Sequence, residues 1–292
     1  MKYQTSVDTV CLQIDTPNEM TRSLIVDGIF HLLWTKKIYF AEKPCPASLH
    51  SNFYKKEYYL YSNNLVLATI WMSSFSMKNN FNNTVNTTYY IALEFAGLKS
   101  HHPQRDAISN TALFSVCAYL NTRSISFKLK SLDVCLDMYT SMDNVLALCT
   151  KKSPKTIYYG ANEAQKFHGT YYIEKINIHP HEAVQRAYLY DKALKDKLPY
   201  RLTRFELKLQ SKFFSKYRHR FVAYMIKSLS RYHVMHVPNK RDKNYLMEQY
   251  DQYPILRDRD IKRIGFDTYR CYPDIAAVVN FINQLFSIKE MD

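Results

Sequence analysis

Apolar and polar positions alternate with a period of two in several stretches of this chain, and that period predicts strands. In TYYIALEF, Tyr90, Ala92 and Glu94 share one face against Tyr89, Ile91, Leu93 and Phe95. LDVCLDM sets Asp133, Cys135 and Asp137 against Leu132, Val134, Leu136 and Met138. Within VQRAYLYDKALKDK, the face of Arg186, Tyr188, Tyr190 and Lys192 opposes Ala187, Leu189 and Asp191. TRFELKLQ opposes Arg204, Glu206, Lys208 and Gln210 to Phe205, Leu207 and Leu209, and VDTVCLQI puts Val10, Leu12 and Ile14 on the face of Asp8. Helical spacing takes over in Asp106 to Leu120, where Ile108, Ala112, Val116 and Leu120 fall in register. It returns in Ser211 to Tyr232, with Phe213, Tyr217, Phe221 and Tyr224 as the stripe, and in Asp274 to Phe286.

Polar segments punctuate these elements: KPCPASLHS (43–51), MKNNFNNTVNTT (77–88) and SHHPQRD (100–106) read as loops. Strands interspersed with helices predict an α+β fold: a largely antiparallel central sheet with helices on its apolar face and ionisable groups on the other. A basic, mainly helical C-terminal region follows. The expected division is a catalytic domain over 1–215 and a region for DNA binding or dimerisation over 216–292.

Composition narrows the function. The chain has 292 residues and a formal net charge of +14, and more than half of that excess lies from Tyr200 onward. Such an excess calls for a polyanionic partner. No apolar run reaches the length of a spanning helix, and the N-terminus lacks a signal-peptide core, so a cytoplasmic protein whose partner is nucleic acid rather than membrane is expected. With 5 glycines, and neither GxGxxG nor GxxxxGK[ST], phosphate-cradling loops are excluded. The 6 cysteines form no CxxC pair, which argues against a zinc ribbon.

The candidate chemistry sits on the strand faces. Glu94, the Asp133/Asp137 pair and Glu206 present acids, and two aspartates four apart on one strand project alike at about 13 Å. Such acids suit Mg²⁺ or Mn²⁺, which take oxygen ligands and keep waters, or they pair with neighbouring Lys and Arg. A phenol near neutral pH becomes a nucleophile only when a cation or metal lowers the cost of its ionisation. Tyr188 and Tyr190, between Arg186 and Lys192 on one face, are the phenols that could meet that requirement. Lys212, Lys216 and Arg220 recur every four residues as a basic stripe suited to duplex phosphates. HPH, with His179 and His181, interrupts any strand with a proline and reads as a loop.

Taken in order, YIALEF, a helix, SLDVCLDMY, KTIYYG, RAYLYDKALKDK and LTRFELKLQ resemble the Rep_trans group of rolling-circle replication initiators. That group belongs to small plasmids and some phages and is a divergent branch of the HUH endonucleases. The match spans roughly 88–210. The resemblance implies an HUH/Rep-like fold and nicking and religation of one origin strand through a 5′-phosphotyrosine. It makes Tyr190 the nucleophile, with Lys192 and Arg204 beside it. It implies a divalent ion, Mg²⁺ or Mn²⁺, held by acids among Asp133, Asp137, Glu206 and Glu94. Double- and single-stranded origin DNA, a host helicase and a second copy of the chain are the implied partners. The arginine that the group carries before its first aspartate is replaced by Ser131 or Leu132, and the insert YYIEKINIHPHEAV departs from the pattern. A relaxase or mobile-element transfer protein of the same fold, or a non-catalytic DNA-binding replication regulator, are the alternatives.

Overall fold

A computed structural model of the chain describes residues 2–43, 53–78, 85–149, 170–173, 184–252, 268–270 and 274–286. His179, His181 and KTIYYG lie outside them, as do 44–51 and 79–84; the other residues of the expected 77–88 loop are strand. The chain forms two compact units: residues 8–132 with 280–292, and residues 1–7 with 133–279. The expected boundary at 215 does not coincide with this division. Strands β1 (Tyr3–Thr16) and β6 (Lys128–Met138) run through both units.

The unit built on 8–132 carries strands in the order β2-β3-β4-β5-β1, where β2 is Tyr39–Lys43, β3 Phe53–Ser62, β4 Leu65–Lys78 and β5 Val85–Ala96. Neighbouring pairs are antiparallel. Period-two alternation buries Val10, Leu12, Ile14, Ile70, Ile91, Leu93 and Phe95 on one face. That face receives helices α1 (Glu19–Trp34) and α2 (Pro103–Thr122). Phe30 of α1 stacks on Phe40 at 3.8 Å and meets Tyr58 edge-on at 5.3 Å. The expected helix over 106–120 is thus present, lengthened at both ends, and Pro103 opens it where its missing N–H costs nothing. Helix α1 begins at Asn18, whose side chain accepts a hydrogen bond from the Thr21 N–H at 2.8 Å.

In the other unit the strand order is β6-β10-β9-β8, where β8 is Tyr171–Ile173, β9 Gln185–Asp191 and β10 Thr203–Leu209. Strand β9 pairs antiparallel with both β8 and β10. The apolar side chains of β10 are buried, and Phe205 lies against Tyr232 with ring centroids 5.2 Å apart. Tyr232 opens β11 (Tyr232–His236), the centre of a three-stranded antiparallel sheet between β7 (Val145–Cys149) and β12 (Thr268–Arg270). Leu146, Leu148, Met235, Val237 and Leu246 form its own core with α6 (Lys240–Gln252).

The architecture is therefore α+β, with a largely antiparallel sheet and helices on one of its faces. The helix expected over 211–232 is broken. It becomes α4 (Ser211–Tyr217), a 3-10 turn at Arg218–Arg220 and α5 (Phe221–Leu229), before Tyr232 enters a strand. Arg218 has φ 37°, so the backbone turns left-handed there and no single helix can run through. The C-terminal region carries strands as well as helices, and ends in α7 (Ile275–Phe286) as the pattern predicted. Among the described residues, no helix is long and apolar enough to cross a membrane.

Candidate functional site

The polar faces of β6, β9 and β10 lie in one unit and bring most of the candidate residues together. Register sets Tyr190 opposite Arg204, Tyr188 opposite Glu206 and Arg186 opposite Lys208. Directly opposite residues of an antiparallel pair share a face, so the alternation read from the sequence is realised. Lys192 is the exception. The chain turns helical immediately after Asp191, whose side chain accepts from the Leu194 N–H at 2.8 Å and caps α3 (Lys192–Asp196). Lys192 is buried, with its ammonium 2.7 Å from Asp196 one helical turn on.

A cation that faces Tyr190 is Lys195, whose ammonium stands 4.8 Å from the centre of the phenol ring. The sequence reading missed it. Its signal was Asp191, which in the helix-capping position starts α3 at Lys192 and swings Lys195 back over β9.

Tyr190 is 5% exposed, and its hydroxyl donates to Glu206 Oε2 at 2.8 Å. The bond runs diagonally across the ladder, from β9 to the residue opposite Tyr188. Tyr188 is half-buried. Burial pushes its phenol up to about 12, against the downward pull of Arg186 and Lys208. Tyr188 is therefore a hydroxyl at neutral pH, and the carboxylate of the pair is engaged with Tyr190.

Asp137 and Arg204 are both fully buried and joined by two hydrogen bonds, Nε to Oδ1 at 2.6 Å and Nη2 to Oδ2 at 2.8 Å. Planar fork against carboxylate is the strongest form of this contact. Next on β6, Cys135 Sγ lies 3.2 Å from Ser6 Oγ. Asp133, at the far end, is 3.4 Å from the Lys208 ammonium. Glu94 sits on β5 of the other unit, half-exposed, with Cys11 and Thr69 as cross-strand neighbours. Lys212 and Lys216 lie exposed on α4 and Arg220 exposed in the 3-10 turn after it, so the break at Arg218 divides the expected stripe.

These positions test whether a divalent cation fits. Both Asp137 oxygens are held by a guanidinium, Glu206 accepts from Tyr190, and Asp133 lies beside an ammonium. Among the described residues no group of three or more His, Cys, Asp or Glu is placed to hold a metal. The described side chains do not fit the ion that the resemblance implies.

No family model and no curated protein matches the chain. Among solved structures, it is similar to a rolling circle replication initiator protein from Geobacillus stearothermophilus. That alignment covers 90% of this chain and 96% of that chain, with 13% identity and a TM-score of 0.41.

Proposed function

We propose that this chain is a DNA nickase and religase that initiates rolling-circle replication, with Tyr190 as its nucleophile. The observation that carries the reading is the 2.8 Å hydrogen bond from the Tyr190 hydroxyl to Glu206 Oε2, a nucleophile and a base within proton-transfer reach. Glu206 takes the phenol proton as the oxygen attacks phosphorus. The bond from phosphorus to the 3′ oxygen breaks, and the 3′ oxygen leaves with a proton from water. The product is a 5′-phosphotyrosine and a free 3′-OH. Religation is the reverse, with the 3′-OH as nucleophile and the phenol as leaving group.

Lys195 offsets the charge of the developing phenolate from above the ring. Arg204, opposite Tyr190 and locked on Asp137, ties β10, the strand paired with the phenol's own, to β6. Because Tyr190 is buried, the side chains around the phenol have to move before a backbone phosphate reaches the hydroxyl. The order and spacing of the motifs from YIALEF to LTRFELKLQ support the assignment to rolling-circle initiation. A Mg²⁺ or Mn²⁺ ion, origin DNA, a host helicase and a second copy of the chain belong to that resemblance.

The burial of Tyr190 favours one competing reading, a non-catalytic DNA-binding regulator on the same scaffold. Incubating the chain with a supercoiled plasmid that carries its gene and flanking DNA separates the two. A nickase yields open circles and protein that stays on DNA through heat and detergent, and Tyr190→Phe abolishes both. An unnicked plasmid supports the regulator, and an adduct that survives Tyr190→Phe moves the chemistry to another residue.

A further inference from the structure

Successive residues of a strand point to opposite faces. In the unit built on 8–132, the residues between the buried apolar positions therefore line the side of the sheet away from α1 and α2. Tyr39, Tyr59, Trp71 and Tyr90 lie on that side, and register relates them. Tyr39 is opposite Tyr61, two residues past Tyr59; Tyr59 is opposite Thr69, two before Trp71; Trp71 is opposite Ala92, two past Tyr90. Each step crosses one strand and moves two residues in the same direction, so the four aromatics form a diagonal row over β2, β3, β4 and β5. One step is about 7–8 Å. Small residues stand directly opposite the inner rings: Ala41 and Thr69 beside Tyr59, Ala92 beside Trp71, Ser73 beside Tyr90. The helix side differs, since there Phe30 packs on Phe40 and against Tyr58. Tyr39 is 43% exposed, and Tyr59, Trp71 and Tyr90 are partly exposed. The Lys43 ammonium lies 5.2 Å from the centre of the Tyr59 ring, and the Lys130 ammonium 5.5 Å from that of Tyr90.

We propose that this row is a stacking platform for single-stranded DNA, one base to each ring, with Lys43 and Lys130 moving from the rings to the phosphates. A nucleotide offers a π-face and an anion, and a ring with an ammonium at its side complements both. The step of the row is about twice the roughly 3.4 Å rise of stacked bases in a duplex. An extended, unstacked strand matches that step, and a duplex, whose base faces are already covered, does not. Glu57 lies 3.0 Å from the Lys43 ammonium and Asp15 is opposite Tyr90, so charge on this face is mixed and stacking carries most of the affinity. That the strand is DNA rests on the function proposed above; that bases stack on the row does not.

The test is binding of a dye-labelled oligo(dT), roughly 15 nucleotides long to span the row, read by fluorescence anisotropy. Tyr59→Ala and Tyr90→Ala should each weaken Kd by about five- to 150-fold, and by the same factor at low and high salt, because stacking is not screened. Tyr59→Phe and Tyr90→Phe keep the rings and should bind within about twofold of wild type. A second readout leaves the row intact. Trp34 is 65% exposed, so Trp34→Phe leaves Trp71 as the one indole at little cost, and oligo(dT) stacked on it should quench its emission. Folded alanine variants that bind within about twofold of wild type overturn the proposal, as do losses that vanish at high salt. Trp71 emission unchanged by saturating oligo(dT) overturns it too, and decides the matter if the alanine variants fail to fold. Tighter binding of oligo(U) of the same length overturns the assignment to DNA. Alanine variants that lose self-association and keep oligo(dT) affinity would make the row a contact between copies of the chain instead. Neither readout requires cleavage, so a chain that never nicks DNA can still pass or fail this test.

Discussion

The buried pair of Asp137 and Arg204 makes the sharpest energetic prediction, because the sequence nominated both as site residues and the structure joins them to each other. Asp137→Asn keeps the size and removes the charge. Both side chains are fully buried, with bonds of 2.6 and 2.8 Å, so the guanidinium left behind has no water to return to. Breaking one partner of such a pair costs about 3–5 kcal/mol. Against the roughly 5–15 kcal/mol that holds a domain together, that is a large share. At roughly 2–4 °C per kcal/mol for a domain of this size, melting of this unit should fall by about 6–20 °C.

The two tryptophans, Trp34 and Trp71, both lie in the other unit, so neither sits beside the pair. Hydrogen exchange of peptides covering β6 and β10 reads it directly. Protection there should drop by the equivalent of about 3 kcal/mol or more. The double variant Asp137→Leu/Arg204→Met should recover most of it, since apolar replacement of a whole buried pair is commonly neutral or stabilising by about 1–4 kcal/mol. A loss below about 1 kcal/mol in the single variant would refute the reasoning, because a cost that small belongs to an exposed pair.

Further expectations concern neighbouring groups. Burial raises the Tyr188 phenol from about 10 unfolded to about 12 folded, so its share of stability is complete below pH 10 and lost as pH climbs to 12. Chemical denaturation of wild type and Tyr188→Phe should therefore diverge only in that window, by at most about 2.7 kcal/mol; curves that stay parallel would contradict the assignment. Removing the exposed charges of Lys212, Lys216 and Arg220 together should reduce the salt slope of duplex binding by about 2.7, at about 0.9 for each lost phosphate contact. An unchanged slope returns these residues to ordinary solvated surface. Lys195→Met should slow covalent attachment while leaving oligo(dT) affinity within a few-fold, a split that a purely structural lysine would not produce.

The faces of β6, β9 and β10 were legible because period two is robust: the same alternation that buries Phe205, Leu207 and Leu209 aligns Arg204, Glu206 and Lys208. Partner choice on that face was not. Tyr190 reaches diagonally to Glu206 rather than straight to Arg204, and which diagonal forms depends on side-chain reach that periodicity does not encode. Lys192 was read as a fourth strand residue, although Asp191 is a capping residue and starts a helix at that point. Helix α1 went unread because its outer face also carries Met20, Leu24 and Trp34, which erases the amphipathic signal; Asn18 was the mark it left. The break at Arg218 carries no glycine or proline, so nothing in the pattern announces it.

The account turns on a phenol oxygen that gives its proton to Glu206 and takes a phosphate in return. Mass spectrometry of nuclease-trimmed, protease-digested adducts, formed on single-stranded DNA from the flanking region of the gene, tests it most directly. The account predicts a nucleotide phosphate on the peptide containing Tyr190, fragmenting to that side chain, and none in Glu206→Gln. A phosphate on Tyr188, or an adduct that forms equally well without the Glu206 carboxylate, would contradict it.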